Sequence, residues 1–96
     1  MKIIIQTPDF KADQKLIDLV NEKIEKLSRF SDQILESHVT MKLDKSDTND
    51  NKIVDVRLAV PGHDLFASRQ TKSFEESLAK VIEALKSQIE TWKENA

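Results

Sequence analysis

Two histidines, His38 and His63, are the residues best suited to proton transfer near neutral pH. The local sequence gives them no partners. Serines and aspartates are plentiful, but none is spaced to act as a nucleophile or an orienting acid beside either histidine. There is no cysteine, which excludes a thiol nucleophile, thiolate zinc and a disulfide framework. No Gly-rich phosphate loop and no His-Glu-x-x-His zinc spacing occurs. The run Asp47-x-Asn49-x-Asn51 opens like a calcium loop, but its sixth position is Lys52 and its twelfth is Leu58. A calcium loop needs glycine and glutamate at those places, so the run reads as a solvated loop. Glu75 and Glu76 are adjacent on the first turn of a predicted helix. Adjacent helical residues point apart, so the pair complements the helix dipole and is not a catalytic couple. These residues point away from an enzyme, from a cofactor and from a small-molecule substrate.

The basic residues are the stronger candidates. Lys23, Lys26 and Arg29 recur every three residues, which makes them neighbours along one side of a helix. Lys11 and Lys15 precede them, so residues 11–29 hold five basic side chains against four acidic ones. Further on, Lys72, Lys80, Lys86 and Lys93 are interleaved with five glutamates. Phosphate binding wants an uncancelled basic stripe. The first helix offers a mild one and the second does not. The whole chain sets 15 Lys and Arg against 17 Asp and Glu, a net charge of −2. On charge alone, the helices read as solvated mixed-charge faces.

Those side chains need a scaffold, and the hydrophobic periodicity supplies one. Ninety-six residues, 39% of them hydrophobic, suit one domain with one modest core. Residues 2–6 are β-branched and predict a strand, closed by a turn at Thr7-Pro8-Asp9. Asp13 is an N-cap for a helix to about Ser28, with Leu16, Val20, Ile24 and Leu27 along its apolar face. Phe30 follows as a core plug. Residues 34–43 alternate, with Leu35, Val39, Met41 and Leu43 inward. Residues 53–60 alternate too, after a polar hairpin loop over residues 44–52. The only glycine stands in the Pro61-Gly62 turn, ahead of a strand over residues 64–69. There Leu65 and Ala67 point inward and Phe66 and Ser68 outward. Ser73-Phe-Glu-Glu76 predicts a capping box for a last helix reaching about Lys93. Phe74, Leu78, Val81, Ile82, Leu85, Ile89 and Trp92 form its apolar stripe. The fold class is α+β: a β-α-β-β-β-α two-layer sandwich, with both helices on one face of a four-stranded sheet. No apolar run is long enough to span a bilayer or to form a signal-peptide core, so a cytoplasmic protein is expected.

This order of elements, with its local sequence, resembles the short ribosome hibernation-promoting factors and ribosome-associated translation inhibitors, the family also labelled sigma-54 modulation proteins. The likeness spans nearly the whole chain. It rests on Leu16-x-x-x-Val20-x-x-Lys23-Ile24-x-Lys26-Leu27, Val39-Thr-Met-Lys-Leu43, the Pro61-Gly62 turn before Leu65-Phe-Ala-Ser68, and Ser73-Phe74. The last of these opens the pattern Leu78-x-x-Val81-Ile82-x-x-Leu85-x-x-Gln88-Ile89. The resemblance implies a double-stranded-RNA-binding-like fold and binding to small-subunit ribosomal RNA in the decoding channel. There the protein would block the messenger and transfer RNA sites, with no catalysis and no cofactor. It implies Lys23, Lys26, Arg29, Lys86 and Lys93 as RNA contacts. In such relatives the second helix carries a dense basic run, where this chain has Ala84, Ser87, Glu90 and Thr91, and Glu75 stands where they have an aromatic residue. The expected affinity is correspondingly lower. The linker and dimerising domain of the long members are not in the sequence, which implies no ribosome pairing through such a domain.

A second reading keeps the fold and gives it a different task. A regulatory or protein-interaction domain would use the open sheet face around His38, Arg57 and Phe66, with a weak homodimer as one form. The net acidic balance and the diluted lysines of the second helix motivate it.

Overall fold

The computed structural model of the protein describes residues 1–45 and 49–95. The elements run β1 (Lys2–Gln6), α1 (Gln14–Glu25), a 3₁₀ turn (Lys26–Arg29), β2 (Glu36–Leu43), β3 (Lys52–Val60), β4 (His63–Thr71) and α2 (Phe74–Glu94). This is the expected β-α-β-β-β-α order, and the class is α+β. The middle of the 44–52 hairpin loop, including Asp47 of the calcium-like run, lies outside the described residues.

The strands form one sheet in the order β1-β2-β3-β4. β1 pairs parallel with β2, which the α1 crossover permits, and the other two pairings are antiparallel. Inward positions alternate as the period of two demands. Val54, Val56, Leu58 and Val60 of β3 and Leu65 and Ala67 of β4 are all buried. α2 packs on β3 and β4, while α1 packs on β1 and on α2. The core between the layers includes Val20, Ile24 and Leu27 from the first helical segment and Leu78, Val81, Leu85 and Ile89 from α2. Removing one such fully buried leucine, Leu85 for example, costs about 2–5 kcal/mol.

Local chemistry sets the boundaries. Asp13 caps α1 by accepting from Leu16 N–H at 2.9 Å. The α-helix stops at Glu25 and not near Ser28, because its last turn tightens. Phe30 N–H bonds the Leu27 carbonyl at 3.0 Å, and Ser28 Oγ donates to the Glu25 carbonyl at 2.7 Å. Ser73 caps α2 through Glu76 N–H at 3.1 Å. The reciprocal half of the capping box is replaced: Ser73 N–H donates to Thr71 Oγ1 at 3.3 Å. Thr71 also reaches Ser77 Oγ at 2.8 Å, and Ser77 donates to the Lys52 carbonyl at 2.7 Å. Two buried hydroxyls thus pin the start of α2 to the ends of β3 and β4.

Two inward assignments change. Leu35 is 60% exposed, and Ile34 takes the core position instead. β2 begins only at Glu36, so the strand alternation does not extend back to Leu35. Ser37 carries the inward parity and is fully buried. Phe30 is half-buried at the edge of the core and does not plug it.

Candidate nucleic-acid interface

The helices pack side by side on the sheet and leave a cleft of about 540 Å³ between them. Leu19, Leu27, Leu78 and Ile82 form its apolar floor. Lys23 and Lys26 stand on one wall and Lys86 on the other, with Glu75 and Glu83 also lining it. Lys23 and Lys86 lie far apart in sequence, and only the docking of α1 on α2 brings them together.

The expected site residues therefore separate. Lys23, Lys26 and Lys86 converge on this cleft. Arg29 does not line it. It stands with Lys26, Glu22, Glu25 and Ser28 around a neighbouring depression. Lys26 and Arg29 are three apart within the 3₁₀ turn, where such positions eclipse, so Arg29 shares this neighbouring depression with Lys26. Lys93 is seven residues beyond Lys86, roughly 10 Å further along α2, and does not line the cleft.

The cleft ammonium groups differ in their surroundings. Lys86 Nζ lies 5.6 Å over the centre of the Phe30 ring, a cation–π contact that ties the exit of the 3₁₀ turn to α2. It is also 3.5 Å from Glu83 Oε1. Lys26 Nζ is 3.7 Å from Glu22 Oε1. Among the described residues, no acid lies within ion-pair distance of Lys23. The expected site residues do not include the partners of these lysines, Phe30, Glu22 and Glu83. The glutamates were findable, because Glu22 is four residues before Lys26 and Glu83 three before Lys86. Phe30 was not, because its contact is tertiary.

The opposite sheet face is open. His38 pairs with Arg57, and Arg57 with Phe66, so the three residues of the second reading lie in one cross-strand row. Phe66 is 54% exposed, and the strand pairing is continuous past it, so no bulge turns it away. The same face carries polar side-chain pairs. Glu36 reaches His38 at 2.8 Å, Lys42 reaches Asp55 at 2.9 Å, and Arg57 approaches Asp64 at 4.0 Å. Among the described residues, no group of three or more His, Cys, Asp or Glu is arranged to hold a metal. No described helix is long and apolar enough to cross a membrane.

A mixed four-stranded sheet covered on one side by two helices, with lysines from both lining the cleft between them, defines an α+β domain of the ribosomal-interface type of fold. A ribosomal subunit interface protein from Coxiella burnetii shares the fold, with a TM-score of 0.84 at 21% identity over 97% of this chain and 98% of that one. The N-terminal domain of Protein Y from Thermus thermophilus matches with a TM-score of 0.81 at 16% identity, over 96% of this chain and 99% of the other. The family model for the sigma-54 modulation protein / S30EA ribosomal protein matches residues 3–96, and the chain belongs to that family. No curated protein sequence matches it.

Proposed function

We propose that the protein is a ribosome-associated translation inhibitor, a hibernation factor that binds small-subunit ribosomal RNA in the decoding channel and blocks the messenger and transfer RNA sites. It acts as a single domain in the cytoplasm, by occupancy, with no bond made or broken and no cofactor. The observation that carries this reading is the convergence of Lys23, Lys26 and Lys86 on one interhelical cleft. Family membership and the likeness to a ribosomal subunit interface protein support it. Lysines facing a phosphate backbone gain affinity by displacing its counterions, so binding weakens as salt rises. Arg29 and Lys93 extend the contact beyond the cleft.

Co-sedimentation with purified small subunits over a salt series tests the proposal. Binding at low salt that falls steeply with added salt is expected. Failure to co-sediment at low ionic strength would sink it.

The second reading, a protein-interaction domain, is favoured by one observation: His38, Arg57 and exposed Phe66 share a row on the open sheet face. On this reading Phe66→Ser abolishes capture of a protein partner or of a second copy and leaves ribosome binding intact. A strictly monomeric wild-type protein that captures no partner argues against it.

A further inference from the structure

The cleft lysines are not equally available, and we infer that Glu22 and Glu83 are built-in competitors for the phosphates that the cleft receives. The inference rests on the RNA-binding reading above and concerns how that binding is limited.

Lys26 and Lys86 stand on opposite walls of the cleft, and each already has a carboxylate within ion-pair distance, at 3.7 Å and 3.5 Å. A phosphate that takes either ammonium must displace that carboxylate, which then stands uncompensated beside the incoming RNA. Lys23 bears no such competitor among the described residues. The Phe30 ring holds the Lys86 ammonium at the cleft, 5.6 Å from the ring centre, whichever anion it pairs with. Lys86 is therefore kept both in position and masked.

The pairs are exposed, so each mask is shallow. Exposed pairs are weak enough that removing one carboxylate should tighten binding by about two- to fivefold. The salt dependence carries a sharper signature. A free lysine meeting a phosphate releases a counterion, about 0.9 per contact on duplex. A masked lysine releases the same ion, but its freed glutamate takes one up, so the contact is nearly invisible to salt. Unmasking restores that contribution.

The test compares wild type, Glu22→Gln, Glu83→Gln, the double variant and Asp64→Asn in small-subunit binding over a salt series. Asp64→Asn makes the same charge change at an exposed ion pair with Arg57 on the opposite sheet face. Each cleft variant should bind about two- to fivefold tighter, and the double variant's salt slope should steepen by up to about two. Asp64→Asn should match wild type in both. Wild-type binding with unchanged affinity and slope in the double variant would overturn the inference and leave the RNA-binding reading standing. Equal tightening by Asp64→Asn would overturn it too, since net charge alone would then account for the effect. Absence of binding by all five proteins at low salt would overturn the RNA-binding reading, and this inference with it.

Discussion

The side-chain amide of Gln88 on α2 spends both of its ends on the backbone of one residue, Phe66. Its Oε1 accepts from Phe66 N–H at 3.1 Å, and its Nε2 donates to the Phe66 carbonyl at 2.7 Å. β4 is an edge strand, and these are groups that a further strand would use to add itself to the sheet. Edge strands left open invite such pairing. The helix thus closes part of the edge that exposed Phe66 would otherwise make adhesive.

Gln88→Ala should cost about 1 kcal/mol of stability, the net worth of hydrogen bonds in an exposed setting. It should also raise self-association at high concentration. Urea denaturation reads the first and sedimentation velocity the second. A variant as stable and as monomeric as wild type would show that the latch does neither.

Reversing charge at the cleft should separate it from the rest of the surface. Lys23→Glu with Lys26→Glu should weaken small-subunit binding at least tenfold at low salt, because it removes phosphate partners and adds repulsion. Lys45→Glu, in the exposed hairpin loop, should change it little. Equal losses in the two proteins would show that the first helix is not the contact face.

Two buried serines should respond oppositely to alanine. Ser77 links Thr71 and the Lys52 carbonyl, so Ser77→Ala strands buried polar groups and should cost about 1–3 kcal/mol. Ser37 is fully buried and its hydroxyl has no hydrogen-bond partner among the described residues. Ser37→Ala removes a desolvated group and should be neutral or stabilising. Thermal denaturation of both variants checks the contrast.

Gly62 sits at φ +73° between Val60 and His63, which pair across the turn. A type II turn requires that conformation after Pro61. An added Cβ would meet nothing within 4 Å, so any cost of Gly62→Ala is purely one of backbone conformation. It should be about 1 kcal/mol, read as a lowered urea midpoint with an unchanged slope.

The sequence alone determined what is periodic or local. Alternation in 53–60 placed Val54, Val56, Leu58 and Val60 in the core, and helical spacing did the same for Val20, Ile24 and Leu27. Asp13, Ser73 and Gly62 announced two helix starts and a turn, since capping and turn geometry depend on a few neighbouring residues. Tertiary structure decided what depends on residues distant in the chain. The parallel pairing of β1 with β2, the exchange of Leu35 for Ile34 at the core, and the Thr71 bond that replaces half of the capping box are of this kind. So is the cleft. Sequence marked Lys23 and Lys86 as basic, but only the packing of α1 against α2 sets them across one groove, with Phe30 beneath Lys86. A hydrophobic stripe dictates which face of a helix is buried. It leaves the choice of facing residue to the burial and packing of the whole chain.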